Sequence, residues 1–261
     1  MPVSQGIVLF AASAIAGAIN AVAGGGTLVS FPALVWAGLP DKLANATSTV
    51  ALWPGSVGGM WGYRRELAGA GRWMILIVPS VLGSAAGARL LLATSAETFR
   101  AIVPYLILFA TALFMLQGPI GRLVKREAAS DRPPTWLLAI VVVLQSVIAV
   151  YGGYFGAGIG ILMLSNLSLL RIENIHQMNG LKSLLAACIN VVAAANFILA
   201  GTVDWPKALV MVVGAIMGGY GGATIARTLG QTTVRWIVAC IGLSIATFKL
   251  YEQIRASSAG Q

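Results

Sequence analysis

The chain has 261 residues, of which 58% are hydrophobic and only 10% are charged. Soluble domains carry about a quarter charged residues, so this composition excludes an ordinary soluble fold and favours a helical membrane protein. A formal net charge of +9 would suggest nucleic acid as the partner of a soluble protein. In a membrane protein, the positions of the basic residues instead indicate which loops are cytoplasmic. We therefore expect no nucleic-acid partner.

Apolar segments close to the roughly 20 residues needed to cross a bilayer recur along the chain. We predict eight long transmembrane helices, in residues 6–23, 46–62, 73–93, 102–117, 136–155, 181–200, 208–229 and 234–250. Two shorter apolar pieces, residues 27–38 and 159–170, each follow a glycine-rich break. We interpret them as half-helices or re-entrant segments. The N-terminal residues lack the basic flank of a cleaved signal peptide, so the first segment should remain a membrane helix.

Residues 17–45 and 151–179 are two degraded copies of one sequence plan. Matching residues lie at a constant offset of 134 positions: Gly24 with Gly158, Gly26 with Gly160, and Asn45 with Asn179. A membrane chain built from two halves, each with a glycine-rich break, is typical of secondary transporters whose site lies where the broken helices meet. The fold class is therefore an all-α polytopic membrane protein with two repeated halves.

Basic residues are concentrated in two loops, residues 63–72 and 118–134, which the positive-inside rule places in the cytoplasm. We predict a first transmembrane repeat over residues 1–118, a cytoplasmic linker over residues 119–134 and a second repeat over residues 135–261. If the short pieces cross the bilayer, the halves are inverted with five passes each. If they are re-entrant, the halves are parallel with four passes each. Both alternatives, eight to ten crossings in all, stay open, and we favour the inverted one.

The glycine runs are suited to binding an anion. Three consecutive glycines permit an unwound backbone, and the amides at the start of the helix that follows would donate to an oxyanion. The alternative is that the glycines only allow close helix packing. The candidate site residues of the two breaks are Asn20, Gly24, Gly25, Gly26 and Thr27 in the first half, and Gly156 and Gly158 in the second.

A polar cluster follows each short apolar piece. Asn, Ser and Thr side chains can donate hydrogen bonds to an oxyanion without adding negative charge, although they also cap helices. The candidates are Asn45, Thr47, Ser48 and Thr49 in the first half, and Asn179, Lys182 and Ser183 in the second. Lys182 is followed by an uninterrupted apolar stretch, and an ionisable group at membrane depth indicates function. Snorkelling to the interface is the alternative.

Other residue types limit the chemistry. One histidine and two cysteines in separate apolar segments form no visible metal cluster or nucleophilic centre, so we expect no metal, no cofactor and no enzymatic activity. All eight acidic residues fall in predicted loops or near helix ends. The absence of a carboxylate at a helix centre disfavours cation transport and proton coupling through a buried acid.

Three runs carry a family resemblance: residues 17–34 (GAINAVAGGGTLVSFPAL), residues 44–59 (ANATSTVALWPGSVGG) and residues 178–227, which begin MNGLKSLLAACINVV. They resemble the TauE/SafE group of sulfite exporters, also called the TSUP family. The resemblance covers nearly the whole chain. The second half departs from the family pattern, because GAGIGILMLSN stands at residues 156–166 where a fuller glycine run and a following proline are expected.

The resemblance implies a multi-pass protein of the bacterial inner membrane. It implies alternating-access export of a small anion, such as sulfite or an organosulfonate, and an anion-selective channel is the alternative. The expected partners are this small anion and the lipid bilayer. An oligomer is compatible with the sequence but not indicated by it.

Overall fold

The computed structural model describes residues 1–22, 24–62, 67, 71–126, 134–170, 172, 175–229, 239–240, 242–244, 246–247 and 249–251. Within these residues the structure is all-helical and contains no β-strand. The longer elements are α1 (Val3–Val22), α2 (Thr27–Trp36), α3 (Asp41–Gly62), α4 (Ile77–Ala93), α5 (Ala96–Arg126), α6 (Thr135–Tyr154), α7 (Ile159–Ser168), α8 (Ile175–Leu199) and α9 (Trp205–Leu229). A short 3₁₀ helix, Gly71–Leu76, leads directly into α4.

Five described helical segments are long and apolar enough to cross a membrane: Val3–Asn20, Gly71–Ala93, Ala96–Leu113, Thr135–Tyr154 and Gln177–Leu199. They correspond to five of the eight predicted spans. The predicted spans 46–62 and 208–229 are helical in α3 and α9 but do not belong to the five. In the predicted span 234–250, residues 234–238, 241, 245 and 248 lie outside the described residues. The chain is thus an all-α, multi-pass membrane protein.

The order of elements repeats in the two halves. A long helix, a glycine break, a ten-residue helix and two further long helices occur as α1 to α4 and again as α6 to α9. The two short helices, α2 and α7, begin at Thr27 and Ile159, as the sequence predicts. Ten residues of α-helix span about 15 Å, roughly half the hydrocarbon thickness of a bilayer. The glycine breaks therefore interrupt the apolar stretches, and each short helix that follows spans about half of the bilayer.

The two halves are interlocked through glycine contacts. The first helix of the first half, α1, packs against α9 of the second half, where Gly17 lies against the Ala215 carbonyl and Gly218 against the Ala14 carbonyl. A Cβ atom at either glycine would overlap these backbone atoms, so only glycine permits this approach. Gly214 lies against the Phe10 carbonyl and Gly17 against the Gly219 nitrogen, so residue numbers rise together along both helices, and α1 and α9 are parallel. The equivalent pair in the repeat, α4 of the first half and α6 of the second, packs in the same way through Gly87.

The direction of α3 follows from its contacts with α9. The Asp204 backbone N–H donates to the Thr47 hydroxyl at 3.1 Å, and Gly55 lies beside Ala215 further along both helices. Hence α3 is parallel to α9, and so also to α1. Between α1 and α3 the chain turns back, because Gly26 at the start of α2 lies against the carbonyl of Ala16 in α1.

Helix α5 extends further than its apolar segment predicts. It runs to Arg126 and so includes the first residues of the predicted linker 119–134, while residues 127–133 lie outside the described part of the chain. A helix that leaves the bilayer needs no apolar side chains to continue. Hydropathy therefore marks the membrane-embedded part of such a helix and not its end.

A buried ion pair joins the last described segment to the start of α3. The Lys249 ammonium lies 2.8 Å and 3.1 Å from the two carboxylate oxygens of Asp41, and their side chains are 10% and 6% exposed. Removing one partner of a buried pair costs about 3–5 kcal/mol. We therefore expect Asp41→Ala to lower the free energy of unfolding by this amount, measured by denaturation in detergent.

A second ion pair provides the control for this prediction. Lys207 lies 2.6 Å from Asp204, and both side chains are partly exposed. Exposed pairs contribute about 0–1 kcal/mol, so Lys207→Ala should have little effect on unfolding. Equal losses from Asp41→Ala and Lys207→Ala would show that burial adds nothing to the pair of Asp41 with Lys249.

Candidate functional site

A small cavity lies where the two glycine breaks meet α3 and α8. Its volume is about 30 Å³, which is enough for one or two water molecules. The residues lining it are Asn20, Gly24, Thr27, Thr49, Leu52, Gly55, Ser56, Gly156, Ile159, Gly160, Lys182, Ser183, Ala186 and Asn190. Seven of these residues were predicted from the sequence: Asn20, Gly24, Thr27, Thr49, Gly156, Lys182 and Ser183.

The backbone is left-handed at matching positions of the two breaks. Gly24 has φ of 74° and Gly158, its counterpart in the repeat, has φ of 78°; Gly156 has φ of 79°. Residues with a Cβ atom rarely adopt this conformation. The breaks also touch, because the Gly160 N–H points to the Gly24 carbonyl at 3.5 Å. The unwound segments of the two halves thus lie face to face beside the cavity.

Two side chains fix the conformation of the breaks. In the first half, the Asn20 side-chain carbonyl accepts the Gly26 N–H at 3.3 Å. In the second half, the Tyr151 hydroxyl donates to the Ala157 carbonyl at 2.7 Å. The Gly26 amide, which we expected to be open to a ligand, is therefore engaged by Asn20. The amide NH₂ of Asn20 makes no hydrogen bond within the described residues, and Asn20 lines the cavity.

One face of α3 and one face of α8 form the walls of the cavity. Their lining residues match at the repeat offset of 134: Thr49 with Ser183, Leu52 with Ala186, and Ser56 with Asn190. Spacings of three and four residues place each set on one helix face. The last pair is in contact, because the Asn190 amide donates to the Ser56 hydroxyl oxygen at 3.0 Å.

Lys182 brings positive charge to the cavity. It lines the cavity and is only 2% exposed, so the structure does not support snorkelling to the interface. Its counterpart in the first half, Ser48, is instead buried against Ser30, and the two hydroxyls share a hydrogen bond of 2.6 Å. No aspartate or glutamate is among the described residues that line the cavity. Lys182, from the second half, is the one charged side chain among the described residues that line the cavity.

Seven predicted site residues do not line the cavity: Gly25, Gly26, Asn45, Thr47, Ser48, Gly158 and Asn179. Gly25 and Gly26 are buried in the first break, and Gly158 directly precedes α7. Three of the polar side chains hold helices together: Asn45 donates to the Tyr154 carbonyl at 2.9 Å, Ser48 bonds Ser30, and Thr47 accepts from Asp204. We assign these three a structural role. Capping is also excluded, because both polar clusters lie inside α3 and α8.

The sequence interpretation missed two polar residues of the cavity, Ser56 and Asn190. Both stand in helices that we predicted only from their hydropathy. A usable signal was present, because the two residues are separated by the repeat offset of 134. Extending the alignment of the halves along α3 and α8 would have paired them.

The described part of the chain contains no visible metal or redox centre. No three His, Cys, Asp or Glu residues come together there. Cys188 and Cys240 are free thiols. The polar groups that converge on the cavity are hydroxyls, amides and one ammonium, which suit hydrogen bonding to a solute.

Repeated membrane halves with apposed helix breaks and a polar cavity between them are typical of membrane transporters. Comparison with known families agrees: the model of the family described as "Sulfite exporter TauE/SafE" matches residues 9–248. The chain belongs to this family.

Curated relatives are similar over almost their full length. The chain is 28% identical over 249 residues to a "Probable membrane transporter protein" of Haemophilus influenzae, with 94% of each chain covered. It is 27% identical over 246 residues to the "Probable membrane transporter protein YfcA" of Escherichia coli K12, covering 94% of this chain and 89% of the relative. No solved structure matches the chain significantly. The protein is thus a multi-pass protein of the cell membrane in a family of transporters.

Proposed function

We propose that the protein is a secondary transporter that exports a small, sulfur-containing oxyanion such as sulfite by alternating access. The observation that carries this proposal is the cavity itself. One buried ammonium, that of Lys182, faces it together with neutral hydrogen-bond donors, and no carboxylate lines it among the described residues. A cation would meet like charge in this cavity, whereas an anion would meet opposite charge at low dielectric.

Neutral donors complete the coordination of an anion. The Thr27 and Ser183 hydroxyls line the cavity and make no hydrogen bond within the described residues. The Asn20 amide is held beside them through its own carbonyl. Hydrogen bonds from neutral groups to an ionised acceptor are roughly twice as strong as those between neutral groups. Together with Lys182, these side chains supply donors from both halves to a solute with several oxygens.

The directions of the helices support an inverted repeat. Helices α1 and α3 point the same way, and α2 returns between them. In the proposed topology each half has five passes, four of them long and one short, so that eight long helices and two short ones build the bundle. Halves of this kind exchange access by rocking around a fixed site near the bilayer midplane. The contact of Gly24 with Gly160 supports a site of this kind between the breaks.

Export needs no proton-coupling acid in the cavity. Moving one negative charge outward across a membrane with a negative interior gains roughly 2.3 kcal/mol per 100 mV. The family description, sulfite exporter, supports the same direction and substrate class. We propose transport and not catalysis, because the relatives are named probable membrane transporter proteins.

A binding screen on the purified protein tests the substrate class. Sulfite, sulfate, thiosulfate and methanesulfonate are titrated by calorimetry, with chloride and potassium salts as controls. We expect saturable binding of at least one sulfur oxyanion and none of potassium ions. Binding of cations without binding of any of these anions would overturn the proposal.

A further inference from the structure

The contact of Ser56 with Asn190 has a special place in the repeat. These residues are separated by the offset that relates the two halves, so Ser56 in the first half is equivalent to Asn190 in the second. A contact between equivalent residues lies on the axis that relates the halves. In a transporter whose two access states are exchanged by this axis, groups on the axis keep the same relation to the substrate in both states. Ser56 and Asn190 also line the cavity, so this axis passes through the site.

Asn190 has unused hydrogen-bonding capacity in this place. A carboxamide offers two N–H donors and a carbonyl acceptor. In the described part of the chain, Asn190 uses one of these, its donation to Ser56 at 3.0 Å. The side chain is half-buried at the cavity wall. Ser56 is also only weakly engaged elsewhere, because its hydroxyl donates to the Leu52 carbonyl at a long 3.4 Å. The amide is thus free to change partner.

We propose that Asn190 is a specificity-determining ligand of the transported oxyanion, and that its amide exchanges the Ser56 hydroxyl for an oxygen of the anion. This inference rests on the proposed function and extends it to a named group on the repeat axis. Without an anion the amide donates to Ser56, and with an anion it donates to the substrate. Ser56 is then a competitor for the donor and not a ligand. A directional amide donor favours an oxyanion over a halide.

Because Ser56 and the anion compete for the Asn190 amide, Asn190→Ala and Ser56→Ala should change sulfite affinity in opposite directions. Asn190→Ala removes a donor to a charged acceptor and should weaken sulfite binding roughly 10- to 100-fold. Ser56→Ala removes the competing acceptor and leaves the Asn190 amide unpaired, so sulfite should bind about two- to tenfold tighter. Asn190→Asp keeps the side-chain shape but adds negative charge, and should abolish binding. Titration calorimetry with sodium sulfite on the full-length protein measures all three.

A matched control lies on the same helix. Asn196 in α8 donates to the Val192 carbonyl at 2.8 Å and does not line the cavity. Asn196→Ala should leave sulfite affinity unchanged. Thermal unfolding of every variant in detergent shows whether it is folded.

The outcomes separate the two proposals. Weaker binding in Asn190→Ala with tighter binding in Ser56→Ala supports the inference. If both variants lose stability and affinity alike, the contact is only a structural link between α3 and α8, and the inference is overturned. If wild type binds sulfite and Asn190→Ala binds it equally well, the inference alone falls. If wild type binds none of the sulfur oxyanions, the proposed function falls, and this inference falls with it.

Discussion

Replacing Lys182 with methionine should weaken sulfite binding by roughly 30-fold or more. The Lys182 ammonium and the bound anion would form a buried charge pair, and loss of one partner of such a pair costs about 2–5 kcal/mol. Methionine keeps an unbranched chain of similar length, so the cavity wall should remain packed. Lys182 is 2% exposed, and burial of an ammonium is itself costly. Thermal unfolding, measured beside the titration of sulfite, shows whether the variant is folded.

Lys182→Arg refines this prediction. The guanidinium keeps the positive charge but is larger and planar, so it does not replace a compact ammonium in a cavity of about 30 Å³. We expect partial recovery of affinity relative to Lys182→Met. A folded Lys182→Met protein that binds sulfite with wild-type affinity would remove this residue from the site.

The second large effect is expected at the contact between the breaks. In Gly24→Ala, the new Cβ atom would lie 2.6 Å from the Cα atom and 2.9 Å from the nitrogen of Gly160. Backbone atoms cannot move aside as a flexible side chain can, so the two breaks must separate. Left-handed backbone adds a further cost of about 1–2 kcal/mol for alanine. We expect at least a tenfold loss of sulfite affinity together with lower stability.

Gly38 isolates the cause of this effect. It has φ of 86°, similar to the 74° of Gly24, but nothing lies within 4 Å of the position of its Cβ atom. Gly38→Ala should therefore lose about 1–2 kcal/mol of stability from backbone strain and keep its affinity. Equal changes of affinity in Gly24→Ala and Gly38→Ala would show that the contact of the breaks has no part in binding.

The breaks could be predicted because their signal is local. Consecutive glycines within an apolar stretch are visible in the sequence, and the first residues of α2 and α7, Thr27 and Ile159, follow directly from them. The membrane character follows likewise from composition. These features depend on neighbouring residues along the chain and not on contacts between distant ones.

The position of the polar clusters was harder to predict. Hydropathy separates the polar residues 45–49 (NATST) from the apolar helix that follows. However, α3 already begins at Asp41 and includes this cluster. Polar side chains are tolerated inside a membrane helix where other helices provide their partners, as Tyr154 does for Asn45. Tyr154 is 109 residues from Asn45 and Asp204 is 157 residues from Thr47, so these two partners leave no local signal.

The faces of α3 and α8 also required the structure. Successive residues of a helix are rotated by about 100°, so of the consecutive residues Thr47, Ser48 and Thr49 only Thr49 reaches the cavity. Which of them does so depends on how α3 packs against α9 and α8. The sequence identifies the polar cluster, and packing between the halves selects its members.

Counterflow in proteoliposomes tests the central claim most directly. Vesicles containing the protein are loaded with unlabelled sulfite and diluted into a trace of radiolabelled sulfite. Alternating access predicts a transient accumulation of label above its equilibrium level, which saturates with substrate and is reduced in Lys182→Met. Passive equilibration without this overshoot, with flux proportional to concentration, would identify an anion channel and contradict the proposed transporter.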